Sequence, residues 1–239
     1  LYGCEKVYTP FFHLGGGGCM PVLRKANYML VFGVCNLFVY FLIQGYVSNE
    51  YSFLTPFDTA FPFMPEFVWI YQSLLPVIAL TMVLLVKSKR LFFNTFWSCL
   101  AATVVIHLVW LLFPSFYPRP EIDPATLSEA FVQLSYEIDN SSNTFPSGHV
   151  AFSWIMYLGA RRSELAKNTS GLSNLYLLWA IGVSLSTLAI KMHYVVDVIG
   201  GLAIASFCFY LVGWMIRRYD WYPPEDTSYG YEDIQNNRR

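Results

Sequence analysis

Long apolar runs alternate with short polar stretches along this chain. Six of the runs contain no Lys, Arg or Glu, and their only acidic residue is Asp197, at the start of the sixth. They are Tyr28–Val47, Phe67–Val86, Leu91–Phe113, Pro146–Ala160, Leu172–Ile190 and Val196–Ile216. A helix that spans a bilayer needs about 20 mostly apolar residues. The pattern therefore predicts an all-α polytopic membrane protein, a bundle of six transmembrane helices.

The composition agrees with a membrane location. Of the 239 residues, 55% are hydrophobic and only 13% are charged, which is unusual for a soluble domain. The net charge of -1 and the absence of basic stretches interleaved with aromatic residues exclude a nucleic-acid partner. The five cysteines lack the spacing of a disulfide framework or a zinc site, so no metal or cofactor is predicted. The expected partner is the lipid bilayer.

The basic residues predict how the helices are oriented. Of the 15 Lys and Arg residues, all except Arg119 and Lys191 lie in the termini or in polar stretches that an alternating topology places on one side. The positive-inside rule assigns that side, with both termini, to the cytoplasm. We expect a cytoplasmic N-terminal segment over 1–27, a membrane domain over 28–218 and a polar cytoplasmic tail over 219–239. The opposite, acidic side is then extracytoplasmic or lumenal.

The fourth apolar run begins with a polar cluster, Pro-Ser-Gly-His at residues 146 to 149. Pro146 suits the first turn of a helix, and Thr144 is a plausible cap. We expect Ser147 and Gly148 to present free backbone N–H groups at the positive end of the helix dipole, where phosphate could bind. A plain helix start with His149 at the membrane boundary is the alternative.

A second cluster lies in the segment KMHYVVDVIGG, residues 191 to 201. His193 and Asp197 are four residues apart, so on a helix they share a face. The carboxylate could accept the proton of one ring nitrogen, which would leave the other nitrogen free to attack. Such a pair also occurs by chance. Gly200 and Gly201 are interpreted as sites of close helix packing.

The third cluster is FYPRP, residues 116 to 120, in the second outer loop. The prolines hold Arg119 in a stiff, extended segment, and its planar guanidinium matches two phosphate oxygens. Taken alone, a loop arginine is usually a solvated surface charge. The predicted topology, however, brings Arg119, the turn at residues 147 to 149, Lys191, His193 and Asp197 to the same side, where they could surround one phosphate.

The order Arg-Pro, Pro-Ser-Gly-His, His-x-x-x-Asp resembles the type 2 phosphatidic acid phosphatase superfamily over residues 55 to 215. The resemblance implies a six-helix membrane enzyme that removes or transfers phosphoryl groups of lipid phosphates without a metal. It implies His193 as the nucleophile that forms a phosphohistidine, Asp197 as its orienting partner and His149 as the general acid. Arg119, Ser147 and the Gly148 amide would hold the phosphate oxygens.

Two positions depart from the family pattern. The usual lysine of the first motif is Leu112, and the usual arginine of the third motif is Thr187, so Lys191 could replace one lost cation. The stretch Pro65–Pro76 also resembles the inositol phosphorylceramide synthase branch, whose members transfer a phospho-headgroup to a lipid alcohol. A lipid phosphatase is the favoured interpretation; a phosphotransferase and a non-catalytic membrane relative are the alternatives. The pattern selects neither the lipid nor the oligomeric state.

Two further residues could approach the predicted site. His107 lies in the outer half of the third run, where a buried histidine with satisfied hydrogen bonds is favoured over a site residue. Asp58 lies in the first outer loop. We expect it to be a solvated acid, with contact to a lipid headgroup as the less favoured role.

Overall fold

A computed structural model describes residues 22–48, 50–169 and 171–222. Within these ranges the secondary structure is helical, with only two isolated β-bridges, so the predicted all-α class is confirmed. One 3-10 turn covers Pro65–Phe67. The α-helices of the described chain are α1 (Val22–Tyr46), α2 (Pro56–Ala60), α3 (Val68–Gln72), α4 (Leu74–Leu85), α5 (Lys89–Leu112), α6 (Leu127–Ile138), α7 (Gly148–Ala160), α8 (Glu164–Asn168), α9 (Leu172–Ala189) and α10 (Val195–Arg218).

Five helical segments of the described chain are long and apolar enough to cross a membrane. They are Arg24–Tyr46, Pro65–Leu85, Lys89–Leu112, Leu172–Ala189 and Val195–Arg218. The fourth predicted span is α7, which has 13 residues. Such a helix is about 20 Å long, shorter than the roughly 30 Å hydrocarbon core. The predicted count of six spanning helices is therefore not confirmed.

Helix α7 lies at the centre of the bundle. It packs against α4, α5, α9 and α10, and Val150, Ala151, Ile155 and Met156 are fully buried. Helix α1 packs chiefly against α5 and leaves most of its apolar side chains exposed, as a lipid-facing helix does. The short central helix is therefore surrounded by the apolar helices α4, α5, α9 and α10.

Helices α7 and α10 approach each other closely at one end. A Cβ atom on Gly201 would lie 2.6 Å from the carbonyl oxygen of Ser147, a distance that no side chain tolerates. Gly200 faces the ring of Phe145 in the same way, at 2.8 Å. These contacts agree with the packing interpretation of the two glycines. They also fix the start of α7 against the start of α10, which places two of the sequence motifs side by side.

The opposite end of the bundle is basic. Lys25, at the start of α1, donates a hydrogen bond to the carbonyl of Val86, after α4. Arg90, Arg162 and Arg217 line one cavity and come from α5, the turn after α7 and the end of α10. The polar stretches thus gather at one end, as the charge pattern indicates. Most of the predicted N-terminal segment, over 1–27, and nearly all of the predicted tail, over 219–239, lie outside the described residues.

Candidate active site

His193 lies in the turn between α9 and α10. The carbonyl of Thr187, in the last turn of α9, accepts hydrogen bonds from the backbone N–H groups of Met192 (3.0 Å) and His193 (3.2 Å). This turn folds back on the helix, and Lys191 adopts a left-handed conformation with φ of 54°. The side chain of His193 is thereby held inside the bundle, with 8% of the residue exposed.

The Nδ1 atom of His193 has two acceptors. It lies 2.9 Å from the carbonyl oxygen of Thr144 and 3.2 Å from Oδ2 of Asp197. A carbonyl oxygen can only accept, so Nδ1 carries the ring proton and donates it. The lone pair of Nε2 is then available for a nucleophilic attack. The predicted pairing of His193 with Asp197 is present, and the Thr144 carbonyl is an acceptor that the sequence did not reveal.

Asp197 is fully buried at the first turn of α10. Its Oδ2 atom also accepts a hydrogen bond from the backbone N–H of Tyr194, at 2.9 Å. Its other oxygen, Oδ1, has no hydrogen-bond partner among the described residues. The interaction between this carboxylate and the neighbouring imidazole is strong, because little water screens it.

The start of α7 differs from the prediction. The helix begins at Gly148, and its cap is Ser147, whose hydroxyl accepts from the N–H of Val150 at 3.4 Å; Thr144 is not the cap. The backbone N–H of Ser147 donates to the carbonyl of Asp197 at 3.1 Å, so the prediction of a free N–H at Ser147 is wrong. The close packing of α10 against this turn brings that carbonyl within reach.

For Gly148, the predicted binding of phosphate stays a prediction. As the first residue of α7 its N–H has no partner within the helix. The space next to its Cα is open, with no atom of the described chain within 4 Å of a Cβ placed there. The structure thus leaves space beside Gly148 at the positive end of the α7 dipole, where an anion is favoured.

His149 follows directly and faces His193. The centres of the two imidazole rings are 6.5 Å apart. The ring of His149 stacks on Tyr71 of α3, with 4.0 Å between ring centres and an angle of 18° between planes. Tyr71 is buried and forms one wall beside the histidine pair. The sequence indicated the stretch Pro65–Pro76, which contains Tyr71, but not the contact of Tyr71 with His149, because that contact depends on how α3 packs.

Arg119 is a buried helix cap and not a solvated charge. Its guanidinium donates to the carbonyls of Tyr136 (3.1 Å), Asn140 (2.7 Å) and Asp139, all at the end of α6, and lies over the ring of Tyr136. The Nε atom is buried and has no partner among the described residues. Burial raises the pKa of Asp139, an effect that Arg119 and a hydrogen bond from Tyr40 oppose.

Hydrogen bonds of Lys191 and Asp58 connect the first outer loop to the start of α10. The Lys191 ammonium donates to the carbonyls of Asp58 (2.9 Å) and Phe61. The Asp58 carboxylate accepts from the backbone N–H of Val195 at 2.7 Å and from Thr55. Asp58 is only 3% exposed, so the expectation of a solvated acid is wrong. The reason is that this acid satisfies the unpaired N–H at the start of α10.

The two positions that depart from the family pattern provide no charge. Leu112 is 69% exposed on the outside of the bundle. Thr187 is fully buried, and its hydroxyl donates a hydrogen bond to the carbonyl of Ser184 at 2.8 Å.

His107 is half-buried beside Trp110, less enclosed than predicted. Within the described ranges, no group of three or more His, Cys, Asp or Glu residues could hold a metal ion.

Comparison with known proteins identifies the family. A family model described as PAP2 superfamily matches residues 97–221, just over half of the chain, and this segment contains all three motifs. The protein belongs to the PAP2 superfamily. The family and the five apolar helices indicate an integral membrane protein.

This PAP2 protein was also compared with curated protein sequences and with solved structures. No curated protein sequence matches the chain. Among solved structures, the crystal structure of Aquifex aeolicus LpxE is similar, with 18% sequence identity and a TM-score of 0.45. The match covers 74% of this chain and 94% of that chain.

Proposed function

We propose that this PAP2 superfamily member is a lipid phosphate phosphatase that works through a phosphohistidine. The observation that carries the proposal is the fixed tautomer of His193: Nδ1 is engaged by Thr144 and Asp197, and His149 faces the ring at 6.5 Å. This arrangement leaves Nε2 as the nucleophile and a second imidazole for proton transfer.

In the first step, Nε2 of His193 attacks phosphorus and the bond from phosphorus to the lipid oxygen breaks. Burial and the charge of His193 lower the pKa of His149 to about 3, so His149 takes up its proton when the negative phosphate lies beside it and then gives this proton to the departing alcohol. In the second step, His149 takes a proton from water, the water oxygen attacks phosphorus, and the bond to Nε2 breaks. The products are the lipid alcohol and inorganic phosphate. Asp197 stabilises the positive imidazole while the bond to phosphorus exists.

The phosphate oxygens have two donors of different kinds. These are the N–H of Gly148, which begins α7 beside an open space, and the buried Nε–H of Arg119, which has no partner among the described residues. We assign Ser147 to orienting this turn, since its hydroxyl and its N–H are both engaged. We assign Lys191 to holding the loop beside His193, since its ammonium is engaged by two carbonyls. Phosphoryl transfer depends mainly on such positioning and on charge stabilisation.

Transfer to an alcohol is the second candidate. Tyr71, which stacks on His149, belongs to the stretch Pro65–Pro76 that carries the resemblance to inositol phosphorylceramide synthases. A wall built from this stretch could exclude water and admit an alcohol acceptor. Both reactions use the same phosphohistidine, so the acceptor distinguishes them.

The test is phosphate release by the purified full chain from a panel of lipid phosphates, with and without vanadate. Vanadate mimics the five-coordinate transition state, so activity should be inhibited by it. His193→Ala should lower the rate by about 10³-fold or more. His107→Ala, a histidine on α5 with no assigned role, is the matched control and should retain activity. Product that forms only when an alcohol is added supports transfer, and no turnover of any lipid phosphate contradicts both reactions.

A further inference from the structure

The cavity lined by Arg90, Arg162 and Arg217 lies at the basic end of the bundle, away from His193. Its volume is about 190 Å³. The residues that line it come from the start of α5, the turn after α7 and the last turns of α10: Ser88, Arg90, Leu91, Asn94, Arg162, Gly213, Ile216 and Arg217. The proposed phosphatase chemistry uses none of them.

The lining is strongly positive. It contains three arginines and no Asp or Glu, and none of the three forms an ion pair within the described part of the chain. Arg162 is held over the rings of Phe209 (4.7 Å) and Tyr210 (5.2 Å), which fixes its guanidinium. Burial lowers the pKa of Arg162, Tyr210 opposes this, and the charges of Arg217 and Arg161 lower it further. Unpaired like charges kept this close favour a bound anion.

Two further features of the cavity favour the binding of an anion. Asn94 is 5% exposed, lines the cavity, and its Oδ1 atom has no hydrogen-bond partner among the described residues. Rotation about the last side-chain bond of Asn94 exchanges its amide oxygen and nitrogen, so that the N–H groups face the position of Oδ1 and can donate to an anion. The first turn of α5, capped by Ser88, also contributes the positive end of a 24-residue helix dipole.

We propose that this cavity binds a phosphate group, carried by the headgroup of an anionic phospholipid or free in solution. Three guanidinium groups can each offer two parallel N–H bonds to phosphate oxygens. Ligand clefts for whole organic molecules are about 300–1,000 Å³, so this smaller cavity suits a headgroup phosphate and leaves acyl chains outside. Basic pockets between membrane helices are suited to such headgroups. This site is separate from the one proposed to do chemistry.

Binding is measured as the rise in Tm of the full chain in phosphatidylcholine nanodiscs. One arm adds increasing amounts of phosphatidic acid; the other adds inorganic phosphate, with chloride at equal ionic strength as the reference. All samples carry His193→Ala, so that the added lipid is not consumed and a failure of the proposed phosphatase function does not affect the result. Stabilisation by the lipid alone or by phosphate alone identifies the source of the phosphate, and stabilisation by neither overturns the proposal.

The deciding comparison uses two variants with equal loss of charge at the same end. Arg162→Gln with Arg217→Gln removes two cavity arginines. Arg161→Gln with Arg218→Gln removes their sequence neighbours, which contact Tyr157 and Tyr219 and do not line the cavity. We expect half-saturation to need about tenfold more ligand in the first variant and to be unchanged in the second. An equal rise of the half-saturating ligand concentration in the two double variants would overturn the proposed site.

A third variant keeps every charge. A Cβ on Gly213 would lie 3.3 Å from Oδ1 of Asn94 and 3.4 Å from a terminal nitrogen of Arg217, so Gly213→Ala narrows the cavity with a tolerable contact. Weaker binding by this variant supports the proposal even if the double Gln variant fails to fold. Unchanged binding by a folded Gly213→Ala together with a folded double Gln variant contradicts it.

Discussion

At the residue scale, one ring proton of His193 is shared between two acceptors of different character. The carbonyl of Thr144 is closer to Nδ1 than Asp197 is, 2.9 Å against 3.2 Å. A backbone carbonyl keeps its position when a side chain is changed. The tautomer of His193 is therefore set by the fold of the 144–149 segment as well as by the acid.

This arrangement predicts a mild effect of Asp197→Asn. Where a carboxylate alone fixes the tautomer, the same change costs about 10⁴-fold in kcat. Here Thr144 still accepts the Nδ1 proton, so we expect kcat to fall by less than about 10³-fold, through loss of negative charge beside the imidazole. Nitrogen-15 NMR of the labelled histidine should still show the proton on Nδ1. A proton on Nε2 in this variant would refute the role given to Thr144.

The role proposed for His149 predicts a dependence on the leaving group. An alkyl alcohol needs a proton as it departs, and general acid catalysis is worth about 10²–10⁴-fold. His149→Ala should therefore lose activity in this range on a lipid phosphate. On p-nitrophenyl phosphate, whose leaving group is stable as an anion, we expect a much smaller loss. Equal losses on the two substrates would show that His149 does not act as the acid.

At the element scale, the site depends on how the first turns of α7 and α10 meet. The N–H of Ser147 donates to the carbonyl of Asp197, and Gly201 leaves room for this contact. The carboxylate of Asp58 and the cation of Lys191 attach the first outer loop to the same place. The histidine pair is thus positioned by hydrogen bonds to backbone groups, which join elements that are distant in sequence.

Gly201→Ala should disrupt this junction. Its added Cβ would lie 2.6 Å from the Ser147 oxygen, where only backbone movement can relieve the clash. Overpacking of this kind costs about 1–3 kcal/mol, which a lower midpoint of denaturation would report. We also expect activity to fall, because the turn that carries Gly148 and His149 moves. Gly33→Ala on α1, with nothing within 4 Å, is the matched control and should leave stability unchanged or slightly higher. Equal destabilisation by the two changes would argue against the junction.

At the scale of the whole molecule, the bundle has a basic end and an acidic end, and the histidine pair lies towards the acidic one. The cavity with Arg162 and Arg217 marks the first end. The loop that carries Arg119 and α6 covers the second, where acidic residues such as Glu121 and Asp123 are exposed. This polarity predicts that the proposed active site opens away from the cytoplasm.

Cysteine labelling in intact cells can test that orientation. Glu121→Cys, in the exposed outer loop, should react with a membrane-impermeant maleimide, and Lys167→Cys, in α8 at the basic end, should react only after the cells are opened. Cys99 and Cys208 are buried, and Cys4, Cys19 and the exposed Cys35 are replaced by Ser in both variants, so that little background labelling is expected. The reverse labelling pattern would place the histidine pair on the cytoplasmic side.

The sequence by itself determined the helical class, the separation of basic and acidic ends, and the pairing of His193 with Asp197. These properties are local or additive: hydropathy acts over about 20 residues, and His193 and Asp197 lie only four positions apart, in the turn before α10 and in its first turn. The order of the three motifs likewise sufficed for the family, which the match over residues 97–221 supports.

The tertiary structure decided which polar groups are free. Packing of α10 against α7 occupies the N–H of Ser147, and the space around a Cβ at Gly148 stays open. The fold also makes the carbonyl of Thr144 an acceptor for His193, buries Asp58 against the start of α10, and brings the end of α6 to Arg119. A hydrogen-bonding group is used up by whichever partner lies nearest in space, and for these residues that partner comes from a distant part of the chain.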